Sequence, residues 1–406
     1  MGTGRSLREN LAVSALKGVN WASRTTKRGA GTVAGGHVGL KIAPDLLSVL
    51  ARDRAIIVVS GTNGKTTTTA LCVAGWGGPV VTNETGANMP AGHVAALAGS
   101  SEKRVVLEAD EAWLAEVVRS TRPRVVVLLN LSRDQLDRAN EVRQMAERWR
   151  QCFAAPENAD VEVVANANDP LVVYAASDAV KVRWCDVATP WSGDAQSCPR
   201  CTLPLTHSAS TWSCTCGLAR PAVLATRLGE ELTVDGETIA LDLSLPGEFN
   251  RANAAMAATA LVGVGVVLSD AVSRMQGVTG VAGRYTLRSW EAHRLRLLLA
   301  KNPAGFDALL TTVPEGTFDV WVAINANIAD GRDPSWLYDV AFEKLAGHRV
   351  WCFGDRRLDL ATRLDYAGVD YRIVDDPALV PVCDQPVSLL ANYTAFQEWL
   401  ARSRPC

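Results

Sequence analysis

Residues 56–67, IIVVSGTNGKTT, constrain the fold of this chain more than any other stretch of its 406 residues. The β-branched run Ile56–Val59 predicts a buried strand, and the glycine-bearing turn after it leads into a helix-compatible stretch. Such a turn aims backbone N–H groups at one point, beside the positive end of a helix dipole. The alternative is an ordinary strand–turn–helix junction that contains a Gly-Lys pair.

We predict a nucleotide-phosphate site in this turn, with the Lys65 ammonium at the outer phosphates and the Thr66 hydroxyl on Mg²⁺. The common P-loop has four residues between its glycines, whereas Gly61 and Gly64 have two between them. The residues predicted to bind the nucleotide are Gly61, Thr62, Asn63, Gly64, Lys65, Thr66 and Thr67.

Strand-like and helix-like stretches alternate on both sides of this loop. Runs of β-branched residues predict strands at 105–107, 125–129, 163–164, 320–324 and 350–353, and helix-compatible stretches lie at 65–74, 111–120 and 142–153. Continuous apolar strands alternating with helices are typical of a parallel sheet covered on both faces. We predict an α/β protein with an N-terminal segment (1–50), a central domain (51–285) and a smaller α/β C-terminal domain (286–406).

Glu108 follows the predicted strand 105–107, in the sequence LEADE. Because the carboxyl ends of parallel strands meet at one edge of a sheet, its carboxylate is expected beside the phosphate loop, on Mg²⁺ or a metal-bound water. In the alternative interpretation this acidic cluster caps the next helix, through Asp110 and Glu111. Both interpretations can hold for different carboxylates.

A four-cysteine module interrupts the central domain at about 195–220. Cys198 and Cys201 form a Cys-x-x-Cys pair, and Cys214 and Cys216 form a Cys-x-Cys pair that is one residue shorter than usual. Four thiolates on two adjacent turns suit tetrahedral Zn²⁺, so we predict a closed, structural zinc ribbon. The alternatives are unpaired structural thiols, or His207 as one of the ligands.

Composition excludes several classes of function. With 41 Lys and Arg against 43 Asp and Glu, the chain does not resemble a protein that coats nucleic acid. No apolar stretch is long enough to span a membrane, so we expect a cytoplasmic protein without a transmembrane segment. The chain has five histidines and no Gly-x-Cys-x-Gly turn, so no complete Cys/His glutaminase is visible in it.

Tryptophan is frequent, with 12 in the chain. The spacing of Trp21, Trp76 and Trp149 predicts side chains that pack in the core. We expect Trp336 and Trp399 at an interface.

Four segments of the chain resemble the Mur ligase superfamily, in the same order. Gly61–Thr68 resembles its ATP loop, and NLSRDQLDR (130–138) resembles its Asn-x-x-x-Asp-His-Leu-Asp-Arg stretch, with Gln135 in place of His. NANDP (166–170) resembles Asn-Ala-Asp-Asp-Pro, and LPGEFNRANA (245–254) resembles a segment that lies near the adenine in that superfamily. The resemblance implies that the ATP site also includes Asn166, Asp169, Asn250 and Asn253.

Three departures narrow the resemblance to the MurT family. The ATP loop begins near residue 60, which leaves too little chain for the domain that holds the UDP sugar in ordinary Mur ligases. The stretch aligned with their carbamylated lysine, AERW (146–149), has no lysine, and the four-cysteine module is inserted. The C-terminal segments KNPAGF (301–306), DGRDPSWLYD (330–339) and RLDYAG (363–368) resemble the MurT family specifically.

The resemblance implies a Mur ligase-type central ATP-binding domain and the ligase subunit of lipid II isoglutaminyl synthase. The expected reaction is amidation of the α-carboxyl of D-glutamate in the lipid II stem peptide to D-isoglutamine, with ATP and Mg²⁺, through an acyl phosphate. Ammonia is expected from a separate GatD-type glutaminase in a heterodimer, and lipid II at the cytoplasmic membrane face.

By the same resemblance, an Asp of the segment 330–339 completes a catalytic constellation with the Cys and His of that partner. The candidates are Asp330, Asp333 and Asp339. An Asp that orients a His is established triad chemistry, but spacing cannot show that it acts across an interface. From the residues alone, the better supported interpretation is an exposed loop whose aspartates cap the N-terminus of the helix that contains Trp336.

Two other functions remain open from the sequence. One is a Mur-type amino-acid ligase of the folylpolyglutamate synthase kind, against which stand the cysteine module and the missing lysine. The other is a nucleic-acid-binding zinc ribbon with a nucleotide switch. Between Cys198 and Cys216 the only basic residue is Arg200 and the only aromatic one is Trp212, too few for a stacking platform.

Overall fold

The computed structural model describes residues 5–25, 33–83, 86–132, 142–188, 196–208, 211–281, 285–314, 316, 319–383 and 385–406. The chain forms two compact units. The first contains the residues up to Leu131, Glu141–Ser244 and Asn250–Val278, and the second contains Leu245–Phe249 and Thr279–Cys406. The domain boundaries expected at 50/51 and 285/286 stay predictions.

The first unit has helices α1 (Leu7–Thr25), α2 (Val33–Ile42), α3 (Leu46–Ala51), α4 (Lys65–Trp76), α5 (Pro90–Ala98), α6 (Leu114–Thr121), α7 (Val142–Ala154), α8 (Pro170–Ala176), α9 (Glu248–Gly263, which begins in the second unit) and α10 (Leu268–Met275). Its strands are β1 (Ala55–Ser60), β2 (Val81–Thr82), β3 (Arg104–Glu108), β4 (Val125–Leu128), β5 (Glu162–Asn166), β6 (Lys181–Asp186), β7 (Thr206–His207), β8 (Trp212–Ser213), β9 (Ala225–Leu228), β10 (Glu231–Val234) and β11 (Glu237–Ala240). A 3₁₀ helix covers Pro156–Asn158.

Nine of these strands form one sheet in the order β11-β10-β9-β6-β5-β4-β1-β3-β2. From β2 to β9 every neighbouring pair is parallel, which confirms the predicted parallel sheet. The hairpin of β10 with β9 and β11 is antiparallel and was not predicted. The buried strand β1 lies between β3 and β4, so the turn after it opens within the parallel part of the sheet.

Helices pack closely against this sheet and against one another. Trp149 and Phe153 of α7 are fully buried in the core, with β-branched residues of β1, β3 and β4. In α2, a Cβ added at Gly36 would lie 1.9 Å from the carbonyl oxygen of Ala91, so only glycine permits this approach to α5. Gly35 donates its N–H to Asn20 Oδ1 over 3.0 Å and ties α2 to α1.

The second unit contains strands β12 (Tyr285–Trp290), β13 (His293–Leu299), β14 (Asp319–Ala323), β15 (Arg349–Phe353), β16 (Asp370–Ile373), β17 (Val387–Ala391) and β18 (Arg404–Pro405), with helices α11 (Pro303–Leu310), α12 (Arg357–Tyr366) and α13 (Tyr393–Arg402). Three 3₁₀ helices cover Pro334–Asp339, Phe342–Leu345 and Pro377–Leu379. The sheet order is β16-β15-β14-β17-β13-β12-β18, parallel from β16 to β13.

The core of the second unit corrects the expectation for two tryptophans. Trp336 packs against Phe306, with 5.2 Å between ring centroids, and Trp399 stacks edge-on against Trp290 and Phe353. Both side chains are only 4% exposed. They are core residues, and the predicted interface role is wrong.

The first unit gives the opposite result for Trp21. Trp76 and Trp149 are buried, as predicted, but Trp21 on α1 is 70% exposed.

Among the described residues, no helix combines the length and the apolar character that crossing a membrane would require.

Candidate functional site

The turn between β1 and α4 has the close-packed backbone expected of a phosphate loop. Gly61 and Gly64 both have positive φ, +142° and +87°. A Cβ at Gly61 would lie 2.9 Å from Leu129 Cβ, and a Cβ at Gly64 would lie 2.5 Å from Asn253 Oδ1. Glycine is required at both positions, for conformation and for space, because nearby groups press against the loop.

Asn130, which follows β4, fixes the shape of this loop. Its carbonyl oxygen accepts the Thr62 N–H over 2.9 Å, and its Oδ1 accepts the Asn63 N–H over 2.8 Å. Its Nδ2 donates back to the Asn63 carbonyl over 3.0 Å. The N–H groups of Thr62 and Asn63 are thus used within the chain, and the first N–H groups of α4, starting at Lys65, are those that suit an anion.

Lys65 is buried and its ammonium is held at three oxygens. Nζ lies 2.5 Å from the Gly61 carbonyl oxygen, 3.1 Å from that of Thr62 and 3.1 Å from Glu111 Oε2. Burial raises the pKa of the Glu111 carboxyl, and the neighbouring Lys65 ammonium opposes that rise. The ion pair lies against the loop, and a polyphosphate bound there would compete with Glu111 for Lys65.

Glu111 is the site residue that the sequence did not single out. It lies in the turn between β3 and α6, and its carbonyl oxygen accepts the Trp149 Nε1–H over 3.0 Å. The predicted helix 111–120 begins only at Leu114, so Glu111 precedes it and does not cap it. Its position depends on a contact with α7, which no local pattern in the sequence signals.

Glu108 ends β3 beside β1, where the sequence predicted a carboxylate. Its N–H donates to Asn83 Oδ1 over 2.9 Å, and its carbonyl oxygen accepts the His93 Nε2–H over 2.7 Å. Burial lowers the pKa of His93 to about 4, so the imidazole is neutral and donates from Nε2. These two hydrogen bonds fix the backbone of Glu108. Thr66, the other residue predicted to bind Mg²⁺, is half-buried on the first turn of α4.

Of the other residues assigned to the ATP site, Asn166, Asn250 and Asn253 are buried and Asp169 is half-buried. Asn166 donates from Nδ2 to the Leu129 carbonyl over 2.9 Å. Asp169 caps α8 through Leu171 N–H and accepts the Leu131 N–H over 2.8 Å, so both hold the segment that follows β4. Asn250 and Asn253 are buried in α9, and Asn253 lies against the loop at Gly64. Their roles toward ATP stay predictions.

Most of the segment NLSRDQLDR lies outside the described residues, including Asp134, Gln135 and Asp137. Its first residue is the Asn130 that fixes the loop.

The four cysteines of the inserted module lie together. Their Sγ atoms are all within 4.8 Å of one another, at 3.6 Å for Cys198 and Cys216 and 3.4 Å for Cys201 and Cys214. Thiolates bound to Zn²⁺ at about 2.3 Å in a tetrahedron lie about 3.8 Å apart, so the spacing fits the metal. The N–H of Cys216 lowers the pKa of the Cys214 thiol to about 6.

Two backbone turns hold these thiols in place. Cys198 N–H donates to the Leu203 carbonyl over 2.7 Å, and Cys214 N–H donates to that of Leu218 over 2.8 Å. Trp212 donates from Nε1 to the Ala167 carbonyl over 3.2 Å and anchors the module. The alternative ligand His207 is exposed on β7 and lies outside the group of four sulfurs.

The three candidate aspartates of the second unit differ in their surroundings. Asp330 is buried, and its carboxylate accepts the Thr394 N–H over 2.8 Å, the Asn327 N–H over 3.2 Å and the Thr394 hydroxyl. Asp333 is exposed and caps the 3₁₀ helix through the Ser335 N–H, which lowers the pKa of its carboxyl. Asp339 is exposed at the last residue of that helix.

Comparison with known proteins gives the same family for both units. The family model described as the Mur ligase middle domain matches residues 59–261, half of the chain, and the MurT ligase C-terminal model matches 299–396. A MurT subunit of lipid II isoglutaminyl synthase (glutamine-hydrolyzing) from Staphylococcus aureus (strain COL) is 30% identical over 91% of this chain and 90% of its own length.

Two further proteins extend this similarity. The MurT subunit from Streptococcus pneumoniae (strain ATCC BAA-255 / R6) is 27% identical over 92% of each chain. The solved structure of a pseudomurein peptide ligase type C from Methanothermus fervidus shares the fold, with a TM-score of 0.66 and 18% identity over 87% of this chain and 79% of that one. A glycine turn with a buried lysine, a four-cysteine module and similarity over 91% of the chain thus agree, and the chain belongs to the MurT family of Mur ligases.

Proposed function

We propose that this chain is the ligase subunit of a lipid II isoglutaminyl synthase. In this proposal it amidates the α-carboxyl of D-glutamate in the lipid II stem peptide to D-isoglutamine, with ATP, and takes ammonia from a GatD-type glutaminase bound as a second subunit. The observation that carries the proposal is the phosphate loop, in which Lys65 Nζ lies 3.1 Å from Glu111 in a chain of the MurT family. The relatives named as subunits of this synthase support the substrate and the partner.

Amide formation from a carboxylate requires a leaving group, because oxide does not depart. A carboxylate oxygen attacks the γ-phosphorus of ATP, ADP leaves, and an acyl phosphate forms. Ammonia then attacks the acyl carbon, inorganic phosphate departs with the former carboxylate oxygen, and the nitrogen loses a proton. Transfer of this kind depends mainly on positioning and on charge neutralisation.

The residues of the loop suit the first of these steps. The N–H groups at the start of α4 would bind the phosphates, and the Lys65 ammonium would leave Glu111 to neutralise the charge that builds on the transferred group. Asn130 and Asn253 keep the loop in place. Thr66 and Glu108 would hold Mg²⁺, which when bound neutralises phosphate charge.

The second step needs unprotonated ammonia, which is scarce at neutral pH. The chain has no glutaminase elbow motif, so a separate subunit must supply ammonia, and Asp330, Asp333 or Asp339 would reach that subunit. We assign a structural Zn²⁺ to the four cysteines, since four protein ligands leave no open position for a substrate. In this proposal the reaction takes place in the cytoplasm, at the membrane face that carries lipid II, and the free cysteines support a reducing compartment.

The test is an amidation assay on purified lipid II with ATP and Mg²⁺. Three nitrogen sources are compared: glutamine alone, glutamine with a GatD-type glutaminase, and ammonium at raised pH. Mass spectrometry of the product should show replacement of one carboxyl OH by NH₂ with the second and third sources only. An unchanged lipid II, with ATP consumed only when an amino acid or a folate is added, would instead indicate a peptide ligase.

A further inference from the structure

Helix α1 presents one face that nothing in the described part of the first unit covers. Leu7 is 91% exposed, Leu11 62% and Trp21 70%. At 100° per residue these three side chains lie within a single stripe, together with the exposed small residues Ser14 and Gly18.

The opposite face of α1 is a packed face. Ala12, Val13 and Leu16 are buried in the core of the first unit, and Asn20 accepts the Gly35 N–H of α2. The helix is therefore fixed in rotation, and the outward stripe is a property of the fold.

Basic side chains flank the apolar stripe. Arg5, Arg8 and Lys17 are exposed, with Arg8 and Lys17 on opposite sides of the line from Leu7 to Trp21. The single acidic residue of α1, Glu9, is partly buried and accepts the Ser6 N–H over 2.7 Å. The chain as a whole carries a slight excess of acidic residues, so this positive edge is local.

We propose that the exposed face of α1 docks onto an anionic membrane surface. The stripe from Leu7 to Trp21 is about 21 Å long and one side chain wide. That shape suits a helix lying in the lipid interface, with Leu and Trp among the acyl chains and Arg and Lys reaching back to the headgroups. A protein partner would instead require a compact apolar centre with a polar rim.

The docking itself follows from the exposure and charge of α1, and its use rests on the proposed function. A substrate carried by a lipid is confined to the membrane surface, so a weak and reversible anchor raises the rate of encounter without trapping the enzyme. A few apolar side chains with basic neighbours give binding of that strength.

The test is flotation of the purified full-length chain with two kinds of vesicle, phosphatidylcholine alone and phosphatidylcholine with an equal part of phosphatidylglycerol. The parent chain should float with the second kind, and Leu7→Ser/Leu11→Ser should lose about tenfold in apparent affinity, because it removes two inserted side chains. The matched control is Leu228→Ser/Leu379→Ser, which removes two leucines that are 76% and 78% exposed elsewhere and should float like the parent.

A second variant, Lys17→Glu, should weaken flotation only with phosphatidylglycerol. The proposal is overturned if the parent does not float, if Leu7→Ser/Leu11→Ser floats like the parent, or if that variant instead loses self-association or glutaminase binding in light scattering. Flotation needs no ATP, so a chain that floats but amidates nothing refutes the proposed function alone. In a working enzyme, Leu7→Ser/Leu11→Ser should slow amidation of lipid II in vesicles and leave detergent-solubilised lipid II unaffected.

Discussion

The ion pair between Lys65 and Glu111 sets the electrostatics of the phosphate loop. Lys65 Nζ also touches the carbonyl oxygens of Gly61 and Thr62, so the ammonium is folded back onto its own loop. We expect a bound triphosphate to draw Lys65 away from Glu111, so that the Glu111 carboxylate, only 16% exposed, repels the phosphates until a cation screens it. We propose that Glu111 thereby couples nucleotide affinity to Mg²⁺.

We predict that Glu111→Gln binds ATP without Mg²⁺ about fivefold more tightly, since it removes a repulsion of about 1 kcal/mol. Isothermal titration with and without Mg²⁺ measures this effect. The matched control for Glu111→Gln is Glu102→Gln, which changes an exposed carboxylate before β3 and should bind ATP like the parent. Equal Mg²⁺-free affinity of Glu111→Gln and the parent would contradict the coupling.

The variant Lys65→Ala should abolish ATP turnover and keep its bound zinc.

The three aspartates of the segment 330–339 differ in the structural environment of their carboxylates. Asp330 serves the fold, because three donors of its own chain occupy its carboxylate. Asp333 caps a 3₁₀ helix, as the sequence alone suggested, and Asn would still cap it. Asp339 is exposed at the C-terminal end of that helix, the negative end of the backbone dipoles, so capping does not explain a carboxylate there.

We therefore expect Asp339→Asn to lose glutamine-dependent amidation at least tenfold and to keep ammonium-dependent amidation. Asp333→Asn should keep both, and Asp330→Asn should lower the free energy of unfolding by about 1–3 kcal/mol. Parallel assays with glutamine plus glutaminase and with ammonium measure the first two, and urea unfolding measures the third. Full glutamine-dependent activity in all three variants would refute the shared constellation.

Among the elements, those with a continuous apolar pattern were predictable and the others were not. The parallel strands β1, β3, β4, β14 and β15 are buried on both faces, so their β-branched runs stand out in the sequence. The antiparallel hairpin β9–β11 is short and half exposed, and it carries no such run. Helical spacing placed Trp21 in the core because spacing shows that a helix has faces, not which face is covered.

The residues of the candidate site likewise divide into those that the sequence could predict and those that it could not. Gly61–Thr67 and Glu108 follow from local rules for strand ends and helix starts, and the cysteine cluster follows from ligand spacing. Glu111 depends on Trp149 of α7, a contact 38 residues away in the chain. Trp336 depends on Phe306 of α11 in the same way. Long-range packing decides such positions, and no pattern within one segment records it.

For the four-cysteine module, we predict one bound zinc per chain. The variant Cys201→Ser should lose this zinc. The module has only a small apolar cluster of its own around Leu205, Trp212 and Leu218, so loss of the metal should unfold it locally and expose it to proteases. Metal analysis and limited proteolysis around residues 196–220 measure both effects. The control is Cys152→Ser, outside the cluster, and zinc retained by Cys201→Ser would contradict the assignment.

The whole molecule is a ligase of the MurT family, and we propose that it makes an acyl leaving group and takes ammonia from a second subunit. Its first unit carries the proposed phosphate loop within a parallel sheet, and its second unit carries Asp339, which we assign to contact with a glutaminase. The family assignment holds for both units. The central claim is therefore that ATP activates the substrate carboxylate itself, whichever source supplies the nitrogen.

The most direct measurement follows the carboxylate oxygen. Lipid II labelled with ¹⁸O in the α-carboxyl of D-glutamate is amidated with ammonium and ATP, and the phosphate and nucleotide products are analysed by mass spectrometry. We predict one labelled oxygen in inorganic phosphate for each amide formed, with ADP unlabelled. Label in AMP, or unlabelled inorganic phosphate beside amidated lipid II, would contradict an acyl phosphate.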